Sequence, residues 1–351
     1  MVLLILKILI SIFLIFTWIP LIKLDYWWVR IFDYPRFQKL VVLAGLLICW
    51  ILLGRQENWY WVWITAVVVG VGYLSFLVWP YSIFGKEMIK KIPYNSDRGI
   101  HIIVGNVYQY NRKFKKAISL FERKEPDLIF LVETDQVWID ALKPLQSTYK
   151  NQILLPLENT YGLALYSKLP IVRKEILYLI DAEIPSLEID LKLRNGQIIT
   201  IYAIHPAPPV PGENPTSTER DAEILIVGKK SRANPLPSMV IGDLNDVAWS
   251  QSTSLFLKIS ELADPRRGRG FFSTFHTGYP FFRWPLDHLF LSHHFGLSRI
   301  KVLPNIGSDH FPIELKATLT NKETTETESA SNEEEIEARS KINKGHETQK
   351  S

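Results

Sequence analysis

Apolar and polar positions divide this chain into unlike blocks. Three apolar runs, Val2–Ile22, Leu40–Gly54 and Trp59–Trp79, dominate the N-terminal part. The first and third are long enough to cross a hydrocarbon core as helices, which takes about twenty residues. The second is shorter, but its apolar character begins near Phe37. The pattern predicts a membrane domain of three transmembrane helices over 1–84, then a polar, basic linker over 85–97 broken by Pro93. From 98 to 317 short apolar segments recur between turn signals. His101–Gly105, Leu128–Val132, Tyr161–Ser167, Leu187–Leu193, Ile198–Ile204, Met239–Gly242, Leu286–Leu291 and Pro312–Leu315 read as strands, with Asn195–Gly196 as a hairpin turn. Phe114, Ala117, Ile118 and Phe121 recur at helical spacing and stop near Pro126, and a second helix is expected from about Thr218 to Ser231. The last block, 318–351, is rich in Glu, Lys, Thr and Ser and reads as a disordered charged tail, because it offers too little apolar surface to offset its chain entropy.

Composition sharpens the membrane reading. Eight of the eleven tryptophans fall in the first block, and Tyr26, Trp27, Trp28, Trp59, Tyr60, Trp61, Trp79 and Tyr81 cluster where an aromatic belt would lie. A cleaved signal peptide does not fit, since no small-residue cleavage site follows the first run and two further runs come after it. Lys23, Arg30, Arg36 and Lys39 mark the first connection, and Lys86, Lys90, Lys91 and Arg98 follow the third run, whereas the second connection has only Arg55. The positive-inside rule therefore places the soluble domain in the cytoplasm, as part of a multi-pass integral membrane protein. A net charge of +4 is too modest to argue for nucleic acid by itself. A single cysteine, Cys49, excludes an intramolecular disulfide.

The chemistry gathers at strand ends. In V-I-G-D-L-N-D, Val240–Asp246, a buried strand emerges into a loop at Asp243, Asn245 and Asp246. Other strands end likewise, at Asn106, Glu133 and His205, while Asp287 opens a later strand and Asp309–His310 fill the loop before the last. Strand ends that repeatedly carry carboxylates, amides and imidazoles share one polar pocket in layered α/β proteins.

These segments, G-N-V at Asn106, L-V-E-T at Glu133, I-H-P-A-P at His205, G-D-L-N-D at Asp243, L-D-H at Asp287 and G-S-D-H at Ser308–His310, resemble the endonuclease/exonuclease/phosphatase superfamily in kind and in order. The superfamily includes DNase-like, apurinic endonuclease and neutral sphingomyelinase-like members, and this chain looks like a membrane-anchored one. The resemblance implies an α/β (α+β) four-layer sandwich of two mixed β-sheets flanked by helices, here preceded by the transmembrane helices. It implies a hydrolase that cleaves phosphodiester or phosphomonoester bonds by in-line attack of an activated water, with Mg2+ as cofactor and Mn2+ as a substitute. Glu133, Asn106 and Asp309 are then the metal residues. Asp243, His310, Asp287 and His205 are catalytic: Asp243 positions the water, Asp287 orients His310, and His310 either takes the water's proton or stabilises the pentavalent phosphorus. Asn245 contacts the substrate phosphate, His205 contacts it or protonates the leaving group, and Arg283 lies close enough in sequence to Asp287 to reach the phosphate too.

Arg266–Gly270, followed by Phe271, Phe272 and Phe275, could hold a phosphate backbone or lie on an anionic bilayer. His293 and His294 are adjacent on an expected strand and so point to opposite faces, and His276 and His288 read as structural. The partners expected are a phosphate-ester substrate, either nucleic acid or a phospholipid or inositol phosphate, and the lipid bilayer. A non-catalytic binding protein that kept the fold is the alternative from another class.

Overall fold

The computed structural model describes residues 1–321 and 324–348. Three helices, α1 (Val2–Trp18), α3 (Arg36–Leu53) and α4 (Tyr60–Val78), pack into an apolar bundle, with the short α2 (Trp27–Arg30) in the first connection. With α1 and α4 extended by their 3-10 ends, Val2–Leu21, Arg36–Leu53 and Tyr60–Tyr81 are long and apolar enough to cross a membrane. Leu6, Ile10, Leu43, Trp50, Val67 and Leu74 close the bundle's interior, and many outward-facing apolar side chains are exposed.

Two sheets follow. The six-stranded sheet runs β10 (Phe295–Val302), β11 (Ile313–Leu319), β1 (Gly99–Asn106), β2 (Leu128–Val132), β4 (Leu163–Ser167) and β3 (Asn151–Leu155). The five-stranded sheet runs β5 (Ile171–Leu177), β6 (Ser186–Lys192), β7 (Ile198–Ile204), β8 (Ser238–Asp243) and β9 (Asp287–Leu291). Each mixes parallel and antiparallel pairs: β1–β2 and β7–β8 are parallel, and their other neighbours antiparallel.

Side chains alternate along each strand, and both faces of the central strands are apolar, so each sheet has an inner and an outer core. Ile102, Val104, Phe130 and Leu165 face Ile189, Ile201, Met239 and Ile241 between the sheets. On the outer side Ile103 and Leu131 pack under α5 (Phe114–Lys124) and α6 (Gln136–Ala141) through Phe121 and Trp138. Tyr202 and Val240 pack under α7 (Thr218–Ala233) and α8 (Gln251–Ser260) through Ile224 and Phe256. The result is the four-layer sandwich of two mixed sheets between helices.

Two expectations are corrected. Residues 85–97 are not a free linker: Met88 and Ile89 are buried in the inter-sheet core, and Lys91 bridges Leu297. The C-terminal block is not disordered throughout. β11 extends to Leu319, Thr325 bridges Ile89, and α9 (Asn332–Thr348) lies along α7. Its few apolar and small residues are spent at one contact, with Ala338 buried and Gly345 against Ala222. Ion pairs supply the rest: Glu334 to Lys258 at 2.6 Å, Glu335 to Arg232 at 2.6 Å, and Lys341 to Asp221 at 2.9 Å. Composition counts apolar surface and misses complementarity to a partner helix.

Candidate active site

The topology brings the polar strand ends to one edge. β1 and β2 run parallel with Asn106 paired to Val132, which sets Asn106 beside Glu133. β7 and β8 run parallel with Ile204 paired to Gly242, which sets His205 beside Asp243. β9 is antiparallel, so its first residue, Asp287, pairs with the last of β8, Asp243. β11 is antiparallel to β1, so the loop preceding it delivers Asp309 and His310 to the same edge. Gly242 makes the approach possible. Its φ is +146°, and a Cβ there would lie 1.9 Å from the Ile204 carbonyl oxygen.

The largely buried side chains form one network. Asn106 Nδ2 donates to Glu133 Oε1 at 2.6 Å and to Asp243 Oδ2 at 3.2 Å. Its Oδ1 accepts from the Tyr108 amide at 2.8 Å, so Asn106 presents hydrogens rather than oxygen to the carboxylates. Glu133 Oε2 accepts from the Gln109 amide at 3.2 Å. His310 Nδ1 lies 2.8 Å from Asp287 Oδ2, and its Nε2 is 3.6 Å from Asp243 Oδ2. Asp243 Oδ1 accepts from the Asn245 amide at 3.0 Å. Glu133 and Asn245 hold φ of +61° and +51°, strained for residues with a side chain at about 1–2 kcal/mol each.

Burial and charge set the protonation states. Burial pushes the Glu133 carboxyl up to about 7, against the hydrogen bonds from Asn106 and Gln109. Burial alone would lower His310, but the carboxylates of Asp243 and Asp287 overcome it and raise it to about 10, making it an imidazolium at neutral pH. His205 goes the other way, pushed down to about 4 chiefly by burial. It is therefore neutral; its Nδ1 is buried without a partner, and its ring lies 5.6 Å from that of Tyr161. Burial also lifts Asp243 above the usual carboxylate range, with the charge of His310 opposing.

Asp243, Asp287 and His310 bring donor atoms within 4.8 Å of one another and form an acidic and histidine cluster of the kind that holds metal ions. A doubly protonated His310 has no lone pair to give, so the better cation position is on the other side of Asn106. There Glu133 is a half-buried carboxylate with no ion pair among the described residues, and Asp309 is near enough to raise both Glu133 and His310. Hard oxygen donors of this kind fit a divalent ion such as Mg2+.

The remaining expected residues differ in placement. Asn245 sits in the site loop, but its Nδ2 donates to the Pro206 carbonyl at 3.0 Å, while Tyr34 and Arg220 both donate to its own carbonyl. Arg283 lies beside the Asp309–His310 loop, stacked 4.9 Å over Phe311 and donating to Thr277 O. The Arg266–Gly270 segment is not free for substrate. Arg266 is fully buried in an ion pair with Asp264 at 2.7 Å, and Arg267 and Arg269 pair with Glu328 and Glu87. His288 is likewise structural, held between Arg266 and the Asp246 carbonyl. His293 and His294 occupy the turn between β9 and β10, where their rings lie side by side at 3.9 Å instead of on opposite faces. Gln109, Tyr161 and Thr274 also touch the site without a sequence signal beyond proximity to a motif, and Phe275, expected with the basic aromatic segment, packs on His310 instead.

The profile of the Endonuclease/Exonuclease/phosphatase family matches residues 104–310, which span every strand-end residue of the network. No curated protein matches. Among solved structures the chain is similar to D. rerio TDP2 complexed with single strand DNA product, with 17% identity, a TM-score of 0.54, and coverage of 63% of this chain and 100% of that one. It is similar to an endonuclease/exonuclease/phosphatase family protein from Bacteroides thetaiotaomicron, with 17% identity, a TM-score of 0.54, and coverage of 63% and 98%. The human Nocturnin catalytic domain with bound sulfate anion has 16% identity and a TM-score of 0.52, with coverage of 67% and 98%.

Proposed function

The chain belongs to the endonuclease/exonuclease/phosphatase family and is a metal-dependent phosphoric ester hydrolase, and from that premise we propose that it is a membrane-anchored phosphodiesterase that uses Mg2+, or Mn2+ in its place, to direct a water in line at phosphorus. The observation that carries this reading is the continuous, largely buried network Glu133–Asn106–Asp243–His310–Asp287, drawn from both sheets.

Glu133 and Asp309 would hold the ion, with Asn106 joining by turning its amide. The ion would neutralise phosphate charge and polarise its oxygens. Asp243 accepts a hydrogen bond from the attacking water and aims it. His310, held protonated by Asp287, donates to the phosphate oxygens as charge builds in the transition state; its proton affinity favours this over taking the water's proton. His205, neutral with an unpartnered ring nitrogen, serves the leaving oxygen, and Asn245 and Arg283 contact the phosphate. The apolar helices would anchor the domain, and the basic connections at Lys23–Lys39 and Lys86–Arg98 support a cytoplasmic side for it. Both connections lie on the side of the bundle where the soluble domain packs: Trp27 donates to Pro215 O at 3.0 Å and Tyr81 to Ala248 O at 2.5 Å.

The test is hydrolysis of bis-p-nitrophenyl phosphate by the full-length protein with Mg2+ or Mn2+, compared with His310→Ala and Glu133→Ala. Each variant is expected to lose about a hundredfold or more. Retention of wild-type rates by both variants refutes the assignment. Nucleic acid is the second substrate reading, supported by the DNA product in the D. rerio neighbour.

A further inference from the structure

Two apolar cavities lie where the membrane bundle meets the soluble domain. The larger, of about 950 Å³, is walled on one side by Phe13, Phe16, Val41 and Val42 of the apolar helices α1 and α3. Its other wall is the segment Pro280–Arg283. The smaller, of about 550 Å³, is lined by Trp27 and Tyr34 of the first connection, by Pro209–Pro211, and by Phe275 and Trp284. Ile31, Pro35 and Phe282 border both, so the two adjoin as one groove.

One lining residue of the groove, Phe275, packs against the site. Phe275 lies 4.9 Å from the His310 ring and is bridged to it through the backbone. Thr277 N donates to Asp309 O at 2.8 Å, so the segment forming the groove's rim is tied to the catalytic loop. At the mouth stands Arg283, whose Nε is buried without a hydrogen-bond partner. Beside it Phe281 is 83% exposed. The groove thus opens at one end between helices apolar enough to stand in lipid, where Arg283 also lines it, and at the other end reaches Phe275, which packs against His310. A single molecule with hydrocarbon at one end and a phosphate ester at the other matches both ends.

Resting on the phosphodiesterase reading above, we infer that the substrate is a membrane lipid phosphoester whose hydrocarbon chain lies in this groove between α1, α3 and residues 275–284. The lipid stays in its leaflet while its phosphate reaches His310, Asp243 and Arg283. Water adds to phosphorus, a P–O ester bond breaks, and the leaving alcohol oxygen takes up a proton. Phe282, common to both cavities, sets the preference for chain-bearing esters.

The experiment uses full-length protein in phosphatidylcholine nanodiscs and two esters that release the same chromophore, methyl p-nitrophenyl phosphate and hexadecyl p-nitrophenyl phosphate. Wild type is expected to favour the hexadecyl ester in kcat/KM by about a hundredfold or more, since each buried methylene adds about a factor of four. Membrane partitioning also enriches that ester, so the variants decide. Phe282→Asp is expected to cut the preference about tenfold or more, and Phe282→Leu to keep it within about twofold. A preference unchanged in Phe282→Asp overturns the inference while leaving the phosphodiesterase reading intact, as does faster turnover of single-stranded DNA than of the hexadecyl ester. Should neither ester nor DNA be hydrolysed, the phosphodiesterase reading fails. The groove is then judged alone, by photo-crosslinking with a phospholipid that carries a diazirine in its acyl chain. Labelling within residues 280–284 supports lipid occupancy. Its absence overturns it, leaving the groove to a protein segment.

Discussion

Asp287 is expected to matter through His310 rather than by touching substrate. Its Oδ2 lies 2.8 Å from His310 Nδ1, and both side chains are buried. A hydrogen bond to a charged group in such a setting contributes about 1.5–3 kcal/mol. The second carboxylate cannot replace it, since Asp243 is 3.6 Å from the other ring nitrogen, beyond a good hydrogen bond. Asp287→Asn keeps an acceptor of the same shape and removes the charge, so kcat/KM is expected to fall about 10- to 30-fold. Asp287→Ala removes the acceptor as well and frees the ring, so the loss should reach about 100-fold. Most of the change should appear in kcat, because the imidazolium acts on charge that develops only in the transition state. The assay is bis-p-nitrophenyl phosphate turnover at saturating Mn2+, with the thermal midpoint of each variant measured alongside. An Asp287→Ala protein that is folded and within about threefold of wild type would refute the claim that this carboxylate positions His310.

Three further outcomes test the scaffold. Glu223, buried under β6 and accepting from Ser186 Oγ at 2.6 Å, is pushed up to about 7 chiefly by burial. Its folded pKa lies above its unfolded one, so it stabilises the fold below about pH 4.5 and loses that contribution as pH rises through about 7, on the order of 2–3 kcal/mol in all. Thermal midpoints from pH 5 to 8 should therefore fall more steeply in wild type than in Glu223→Gln, and parallel curves contradict the assignment. Gly242→Ala places a Cβ 1.9 Å from Ile204 O at a φ of +146°, and a destabilisation of about 4 kcal/mol or more is expected from denaturant melts. Gly345→Leu forces a side chain into Ala222, which a Cβ alone would approach to 2.3 Å. Limited proteolysis should then release α9 while the catalytic sandwich stays resistant, and unchanged protection would show that α9 does not depend on this contact.

Much of the architecture was legible because its signals are local. Twenty-residue apolar runs, period-two strands, the Asn195–Gly196 turn and the strand-end polar residues each follow from a few neighbouring side chains. The elements that escaped have weak local patterns. β5 is exposed along most of its length, with Arg173 paired to Asp190 and Glu188, and so lacks an apolar run. α9 is polar around most of its surface and is held by ion pairs and one close glycine contact. The basic segment Arg266–Gly270 reads as open to a phosphate backbone or an anionic bilayer because its partners Asp264, Glu328 and Glu87 are spread along the chain, and only folding brings the last two to it.

The chain by itself determined which chemistry is present: carboxylates, an amide and imidazoles at the ends of strands, downstream of segments apolar enough for a bilayer. Tertiary structure decided what that chemistry becomes. Sheet register sets Asp243 opposite Asp287 and so decides that His310 is held between two carboxylates and raised to about 10, while His205, at the end of the neighbouring β7, is stripped of water and lowered to about 4. Both begin as the same imidazole with the same intrinsic proton affinity. Their difference comes from distance and desolvation, which depend on residues far apart in the chain and exist only once the two sheets have closed on each other.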